Sequence, residues 1–216
     1  MLDWNWVQRN LSDIAGLIGV HVALSLMPVA AALIIALPVG YLVYRTKLAA
    51  NGLLILLGLL YSIPSLALFV AMPAVLGTLT LDPLNIVVAL TIYTFALLVR
   101  SVVDGLRSVP DLVKQSASAV GYGRLRRLLR VELPLAMPVV FAGLRVATVS
   151  NIALVSISVV VGQPSLGTLF DQGFQQGFYT PIVVGLVLSV VLALIIDAII
   201  LVIQRGSLPW RKAVRA

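Results

Sequence analysis

The stretch KQSASAVGYGRLRRLLRVELP, residues 114–134, decides the fold of this chain, because it is the basic segment between two long apolar blocks. Helix-forming residues stop at Gly121, restart at Arg124 and end at Leu133-Pro134. Glycine permits a turn that other residues resist, and proline ends a helix. We therefore predict two short helices, hinged at Gly121 and closed by Pro134, that form a docking surface rather than a plain connector.

The composition of the whole chain is that of a membrane protein. Hydrophobic residues account for 61% of its 216 residues and charged residues for 11%, and the mean hydropathy is +1.10. A soluble domain is far less apolar and far more charged. The chain has no cysteine and one histidine, His21, which excludes disulfides, thiolate catalysis and a histidine metal cluster. The net charge of +7 comes from basic residues beside apolar blocks, which indicates membrane topology rather than a nucleic-acid partner.

Five apolar blocks reach or approach the ~20 residues that a helix needs to cross a bilayer. They are residues 22–44, 53–76, 84–103, 139–161 and 181–203. Residues 1–21 contain two tryptophans and lack a signal-peptide pattern, so we expect them to remain in the mature protein as an interfacial helix. The sequence thus predicts an all-α membrane protein with five transmembrane helices in a single domain. That domain covers residues 1–216 and includes a loop, residues 104–138, and a tail, residues 204–216.

The Lys and Arg residues of the short loops define an orientation across the membrane. They fall in the first loop, the third loop and the tail: Arg45, Lys47, Arg100, Arg107, Lys114, Arg124, Arg126, Arg127, Arg130, Arg205, Arg211, Lys212 and Arg215. The second loop, around Asp82, and the fourth loop, residues 162–180, contain neither Lys nor Arg. We therefore expect the N-terminus outside and the C-terminus in the cytoplasm, with Arg9 as the exception. His21 is then expected at the outer membrane boundary.

Proline and glycine interrupt several of these blocks. Pro28, Pro38, Pro64 and Pro73 lie in the first two spans, and each removes a backbone hydrogen bond and bends its helix. Bent spans favour a cavity over a tight bundle. Residues 162–178 mix glycine and proline with aromatic residues, which predicts a half-inserted loop and a short helix at the outer mouth.

The basic stretch resembles the cytoplasmic loop of ABC importer permeases. The family pattern is Glu-Ala-Ala, three residues, Gly, nine residues, Ile, one residue, Leu-Pro. Here Gln115-Ser116-Ala117, Gly121, Val131 and Leu133-Pro134 keep that spacing, although Gln115 and Ser116 depart in residue type. The resemblance implies a type I importer fold like that of methionine permeases, with coupling helices that sit in a groove on an ATP-hydrolysing subunit. The residues expected to contact that subunit are Gln115, Ser116, Ala117, Ala119, Gly121, Tyr122, Val131, Leu133 and Pro134.

Three further segments resemble the permeases of osmoprotectant importers, namely residues 61–68, 104–109 and 142–145. This resemblance implies transport of a compatible solute such as glycine betaine, choline or carnitine. The methionine-importer permeases are the nearest alternative. Pro164-Ser165 in place of Gly-Gly, and Ser101 in place of Asn, depart from the osmoprotectant group and leave the solute open.

The resemblance also implies partners. The sequence has no Walker-type Gly-rich loop with Lys-Ser or Lys-Thr, so we expect ATP and Mg on a separate subunit and no cofactor on this chain. The implied assembly contains a dimer of ABC ATPases, a second permease that is identical or similar, and an external substrate-binding protein. Membrane lipid surrounds it in the bacterial cytoplasmic (inner) membrane.

Ionisable residues within a span are costly and need partners. At ~1.5 Å per residue, Arg145 and Asp197 both lie roughly 10 to 12 Å from the predicted cytoplasmic side. This equal depth predicts an ion pair between the fourth and fifth spans, with separate snorkelling as the alternative for Arg145. The candidate pathway or gate residues are Tyr61, Pro64, Ser65, Asn151 and Ser156.

Aromatic side chains bind quaternary ammonium groups through cation–π contacts. The aromatic residues within the spans are scattered along the sequence: Tyr61, Phe69, Tyr93 and Phe95. We therefore expect the selective substrate site on another subunit.

Two other classes of membrane protein fit less well. Asp104-Gly105 begins like the motif of phosphatidyl-alcohol transferases, but Ser108-Val109 stands where Ala-Arg is required and the later aspartates are missing. This argues against an intramembrane enzyme. A cation-coupled carrier should show paired repeats and acidic residues at the midplane, and the sequence shows neither.

Overall fold

The computed structural model describes residues 2–208, with residues 47–51 described by their backbone alone. In this part of the chain the structure is helical and contains no β-strand. The α-helices are α1 Trp4–Arg9, α2 Leu11–Arg45, α3 Lys47–Tyr61, α4 Ser65–Leu76, α5 Pro83–Arg107, α6 Asp111–Ala119, α7 Arg124–Arg127, α8 Leu133–Val155, α9 Gly167–Gln176 and α10 Tyr179–Ser207. The predicted tail, residues 204–216, lies outside the described residues from position 209 onward.

The long apolar helices confirm an all-α membrane protein. Four stretches are long and apolar enough to cross a bilayer: α2, α5, the run Arg124–Val161 that contains α8, and α10. A fifth span exists if α3 and α4 count as one, but they bend by 100° between Gly52–Tyr61 and Ser65–Leu76. The bend predicted for the span over residues 53–76 is therefore present, and it divides that span into two helices. Pro64 lacks an N–H and restricts the backbone of Ile63, so the helix ends there and restarts in a new direction.

The N-terminal segment also differs from the prediction. Only α1 is a separate helix, capped by the Asp3 carboxylate, which accepts hydrogen bonds from the backbone N–H groups of Asn5 and Trp6. The chain turns at Asn10, and α2 then continues from Leu11 without a break through Pro28 and Pro38. An interfacial helix over residues 1–21 and a span that begins at residue 22 were therefore wrong, because the second half of that segment is the first part of the long helix.

Helix α5 is the centre of the bundle. It packs against α2, α3, α4 and α8. Its fully buried side chains include Leu90, Leu98, Val99, Val102 and Val103. By contrast, α10 packs mainly against α8 and α9 and leaves most of its apolar surface exposed. The bundle is therefore firmly packed around α5 and open along α10.

The two ends of α8 lead into the two segments that matter for function. Before α8, a π-helical turn, Leu128–Glu132, joins it to α7. After α8, a 3-10 turn, Ser156–Val161, extends it to Gly162. Pro134 lies in the first turn of α8, where the wider π-turn before it accommodates a residue without an N–H. The expectation that Pro134 closes the helix was therefore wrong, because the helix continues through it.

Candidate functional site

The segment of residues 104–138, called the basic loop below, contains the two short helices that its sequence predicts. Gly121 lies between α6 and α7 with a φ of +86°, a conformation that favours glycine. The Arg127 guanidinium links the two helices: its Nε donates to Glu132 Oε1 at 2.6 Å and its Nη1 to Ser118 Oγ at 2.8 Å. Glu132 is buried, so this charge-assisted bond holds α6 against the start of α8.

A lysine joins the basic loop to the helix bundle. Lys114 Nζ lies 3.1 Å from Asp111 Oδ1 and 5.6 Å from the centre of the Tyr44 ring, at the end of α2. Burial lowers the pKa of Lys114, but hydrogen bonding to Tyr44 and to Asp111 outweighs burial. The pKa therefore lies above its ordinary value of 10.5. The positive charge on Lys114 thus stabilises the contact between α6 and the end of α2.

The residues predicted to contact a partner do not all face outward. Gln115, Ser116, Ala119 and Gly121 are exposed. Ala117 is buried against the chain itself, and the remaining four are half-buried: Tyr122, Val131, Leu133 and Pro134. Leu133 and Pro134 line a groove beside the end of α10. Ala117 is buried on α6, which contacts α7 and the π-helical turn, so its contact with a partner stays a prediction.

Sequence reasoning missed the large apolar residues of this surface. Leu112 and Val120 are each 74% exposed, and Leu125 and Leu129 are also exposed. Leu112 and Ser116 lie four residues apart on one face of α6, and Val120 follows at the C-cap of that helix. That spacing is present in the sequence, but the family motif contains only the small residues of α6, such as Ser116 and Ala117.

The structure contains the ion pair that equal depth predicts. Arg145 of α8 donates from Nε to Asp197 Oδ1 and from Nη2 to Oδ2 of the same α10 carboxylate, each at 2.6 Å. This two-bond geometry matches the planar guanidinium to the carboxylate. The side chains are 36% and 25% exposed and face a groove of about 700 Å³ between α8 and α10. The pair therefore fastens α10 to α8 at the edge of an open groove.

The candidate pathway residues are brought together only in part. Tyr61, at the end of α3, and Asn151, on α8, line one cleft, while Pro64, Ser65 and Ser156 lie outside it. The Asn151 amide donates to Thr94 Oγ1 at 2.9 Å and to the Ser25 carbonyl at 3.4 Å, and so joins α2, α5 and α8. The view that the aromatic residues are scattered was wrong for Tyr61 and Tyr93, whose rings meet beside this cleft.

At the other end of α8, residues 162–178, called the glycine hairpin below, form the predicted short helix. Glycines with positive φ bound it at Gly162 and Gly177, and α9 lies between them. A Cβ added at Gly167 would lie 1.9 Å from the Ser156 carbonyl oxygen, so only glycine fits there. The hairpin is thus pressed directly onto the backbone of the 3-10 turn.

His21 holds this hairpin to the bundle, a role that the sequence did not indicate. Its side chain is fully buried between α2, α8 and the hairpin, and its predicted depth at the outer membrane boundary stays a prediction. The Leu166 N–H donates to His21 Nδ1 at 3.2 Å. Nδ1 is therefore the unprotonated nitrogen, and Nε2 donates to the Ile152 carbonyl at 3.0 Å. Its position among apolar residues gave no signal of these partners.

Polar side chains complete the attachment of the hairpin. Ser165 Oγ donates to the Val155 carbonyl at 3.1 Å, and the Gln163 amide donates to the Leu81 carbonyl. Ser158 Oγ donates to the Gln163 carbonyl at 3.2 Å. Within residues 2–208, no three His, Asp or Glu side chains lie close enough together to hold a metal ion.

A bundle of apolar helices with an exposed basic loop at one end and a closed hairpin at the other defines a membrane-spanning transport subunit. The chain belongs to the family of binding-protein-dependent transport system inner membrane components, whose model matches residues 28–207. It is the permease subunit of an ABC importer.

Relatives and a solved structure agree with this assignment. The chain is 33% identical over 171 residues to the osmoprotectant import permease protein OsmW of Salmonella typhimurium, covering 78% of this chain and 80% of the relative. It is 28% identical over 162 residues to the glycine betaine/carnitine/choline transport system permease protein OpuCB of Bacillus subtilis, covering 75% and 73%. The inward-facing MetNI methionine ABC transporter matches with a TM-score of 0.79 at 23% identity, covering 90% of this chain and 95% of that one. That last likeness confirms the type I importer fold.

Proposed function

We propose that this permease forms one half of a pathway that imports a small solute with a quaternary ammonium group, such as glycine betaine, choline or carnitine. The names of its relatives and the resemblance of residues 61–68, 104–109 and 142–145 to osmoprotectant permeases support this substrate class. The pathway crosses the bacterial cytoplasmic membrane, with the N-terminus outside and the basic loop in the cytoplasm, as the distribution of Lys and Arg indicates.

In this proposal the basic loop is the docking surface for a separate ATP-hydrolysing subunit. The observation that carries it is the exposure of Leu112, Val120, Leu125 and Leu129 on a charged segment outside the bundle. Contiguous apolar side chains in water are unfavourable and mark surfaces that a partner covers. Gly121 turns the chain between α6 and α7, and both sides of this turn carry exposed leucine or valine side chains.

The remaining partners follow from the same proposal. A dimer of ATP-hydrolysing subunits holds ATP and Mg, since this sequence contains no motif for them. A second permease, identical or similar, completes the pathway, because one chain of this size does not enclose a channel and α10 leaves an open apolar face. An external binding protein delivers the solute, as the family description of a binding-protein-dependent system supports.

Docking is tested by replacing the exposed apolar residues. The double variant Leu112→Ser and Val120→Ser should insert into the membrane and keep its melting temperature, since both side chains are 74% exposed. It should lose co-purification with the co-expressed ATPase. Leu79→Ser is the matched control, because Leu79 is 82% exposed but lies between α4 and α5, away from the basic loop. Retention of the ATPase by the double variant would remove the basic loop as the docking surface.

The substrate class is tested by uptake. Cells or proteoliposomes that contain the complete importer and its binding protein should accumulate labelled glycine betaine, choline or carnitine in an ATP-dependent manner. Uptake of methionine alone would place the chain with the methionine importers instead.

Orientation is tested by single cysteines, because the natural chain has none. Thr80→Cys and Gln175→Cys should react with an impermeant thiol reagent in intact cells. Ser116→Cys, which is exposed on α6, should react only after permeabilisation. Labelling of Ser116→Cys in intact cells would reverse the orientation.

A further inference from the structure

The ion pair of Arg145 with Asp197 joins two membrane-spanning helices, yet part of it is open to the surroundings of this chain. The two side chains are 36% and 25% exposed and line the groove between α8 and α10. Charged side chains at membrane depth face the interior of a bundle or a water-filled space, because hydrocarbon does not solvate them. Lipid is therefore an unfavourable neighbour for this groove.

The walls of the same groove are mostly apolar. Apart from the ion pair and Ser150, the side chains that line it are alanine, valine and leucine. Of these, Val146, Val190 and Leu194 are each more than half exposed on this chain. Adjacent apolar side chains of this size are unfavourable in water and mark surfaces that another molecule covers. Water is therefore an unfavourable neighbour as well, and a protein surface meets both requirements.

Asp197 belongs to a stripe of side chains that recur along α10 at intervals of four and three residues. This stripe, called the α10 seam below, consists of Val183, Val187, Val190, Leu194, Asp197 and Leu201. The valines and the leucine before Asp197 are all exposed on this chain. Such spacing places side chains in one line on a helix, and two helices pack along such lines at a small crossing angle. A polar residue at one position of the line fixes the register of the two helices.

We infer that the α10 seam is the surface through which a second copy of this chain joins the first, α10 against α10, an inference that rests on the second permease proposed above. Two copies with the same orientation in the membrane are related by a twofold axis along the membrane normal, so the same patch is used on both. The two Asp197 carboxylates then lie at one depth, and each is neutralised by the Arg145 of its own chain. Lipid is kept from these charges by the flanking valines and leucines of both copies.

The ion pair is complementary to a second copy of itself. Arg145 donates to Asp197 from Nε and Nη2, while its Nη1 donates to no acceptor among the described residues. Each carboxylate oxygen can accept more than one hydrogen bond. The Arg145 Nη1 of each copy therefore suits the Asp197 carboxylate of the other. The charges of the two copies then alternate in sign around the axis, which like charges alone would not allow.

Cysteine cross-linking tests this contact, because the natural chain contains no cysteine. In membranes that contain the complete importer, Leu194→Cys should form a reducible disulfide between two copies on mild oxidation, seen as a dimer on a denaturing gel. Ile195→Cys is the matched control and should remain a monomer. Ile195 lies at nearly the same depth and is 52% exposed, but one step along the helix turns it ~100° away from the seam.

Truncation of the seam tests its contribution to assembly. Two copies with different affinity tags are co-expressed, and the fraction of the second tag that is recovered with the first is measured in detergent. The double variant Val190→Ala and Leu194→Ala should lower this recovery about tenfold, the effect of losing one or two interface anchors. Val191→Ala with Ile195→Ala is the matched control, because it removes similar exposed side chains from the same turns of α10. Its recovery should equal that of the natural chain.

The thiol of Leu194→Cys also distinguishes the other occupants of the groove. Rapid reaction with a water-soluble thiol reagent and no cross-link would show a water-filled space and overturn the inference. Neither reaction nor cross-link would show lipid and overturn it too, and so would equal cross-linking of Ile195→Cys. If Leu194→Cys does not accumulate in the membrane, Val190→Cys on the same seam decides by the same measurements.

These measurements do not depend on the transported solute. If the importer moves no quaternary ammonium solute but Leu194→Cys is cross-linked, the proposed substrate class fails and the α10 seam stands. If the importer moves such a solute, but the two tags do not co-purify and Leu194→Cys stays a monomer, the inference alone is overturned. The second permease is then a different chain, or it joins this one through another surface.

Discussion

The basic loop and the glycine hairpin lie at opposite ends of α8, and each contains a short helix beside a glycine with positive φ. The hairpin buries Leu166 and Leu169 against the bundle, although its Phe174 is 84% exposed. The basic loop directs Leu112 and Val120 outward. The hairpin is thus anchored to the bundle by buried leucines, whereas the basic loop presents Leu112 and Val120 as the docking surface that we propose.

The polar contacts of the two segments differ in the same way. The hairpin is tied to three separate parts of the chain through His21, Ser165 and Gln163. The basic loop is tied mainly to itself and its base, through Arg127 and Lys114. The hairpin is therefore tied to more distant parts of the chain than the basic loop is.

The largest expected effect on stability comes from replacing a glycine of the hairpin by alanine. The same substitution in the basic loop serves as the comparison. Gly167→Ala places a Cβ 1.9 Å from the Ser156 carbonyl oxygen, so the backbone must move. We expect a loss of at least about 3 kcal/mol in the free energy of unfolding, at the upper end of overpacking costs. Gly121→Ala meets no atom within 4 Å and should cost only about 1 kcal/mol through its positive φ. Melting temperatures in detergent check this, and equal shifts would contradict the comparison.

Variants of Arg145 and Asp197 test whether this ion pair contributes to the attachment of α10, beside the contact of α10 with α9. Arg145→Gln and Asp197→Asn each leave one unpaired charge within the bundle, so each should lower the melting temperature clearly. The double variant removes both charges and should be more stable than the sum of the two single effects predicts. Additive losses would show that the two side chains act independently and would contradict the pairing.

Replacement of His21 is expected to have the next largest effect on the free energy of unfolding. His21→Ala leaves the Leu166 N–H and the Ile152 carbonyl without their partner, at a cost of about 1 to 3 kcal/mol. Asn keeps an acceptor near the position of Nδ1, and Gln keeps a donor near Nε2, so each should restore part of the loss. Thermal melting of the three variants checks the order. A His21→Ala variant as stable as the natural chain would show that the hairpin needs no attachment at α2.

The elements that the sequence predicts well are those set by local patterns. The apolar blocks place α5 and α10, and Gly121 marks the hinge, because length, hydropathy and positive φ are properties of short segments. The depth of Arg145 and Asp197 was sufficient to predict their pair. The attachment of His21 and the meeting of Tyr61 with Tyr93 could not be predicted in this way. These contacts join residues far apart in sequence, and they depend on how the broken helix and the hairpin fold back.

In the basic loop, function should change more than stability. Gly121→Asp combines the same backbone strain, about 1 kcal/mol, with a new charge on the proposed docking surface. The chain should still insert, because the site lies outside the apolar spans. Substrate-stimulated ATP hydrolysis by the assembled importer should be lost, which an ATPase assay with the binding protein checks. Full stimulation and transport in Gly121→Asp would contradict a coupling role for this turn.

The smallest expected effect concerns the base of the basic loop and depends on pH. The pKa of Lys114 is raised in the folded chain by hydrogen bonding to Tyr44 and Asp111, in spite of burial. Charged Lys114 therefore stabilises the fold fully below its ordinary pKa of 10.5, and this contribution is lost as the pH rises through the higher folded value. The contribution should be below about 1 kcal/mol, as is usual for such pairs.

The matched variant for this measurement is Lys114→Arg, because arginine stays charged at every pH used. Between about pH 9 and pH 12 the melting temperature of the natural chain should fall more than that of Lys114→Arg. Lys114→Met should be less stable at neutral pH and should converge with the natural chain at the alkaline end. If the melting temperatures of all three proteins change with pH in parallel, the contact of Lys114 with Tyr44 adds nothing to the attachment of α6. The basic loop would then depend on Arg127 and on its buried residues Leu106, Val109 and Leu128 for its attachment.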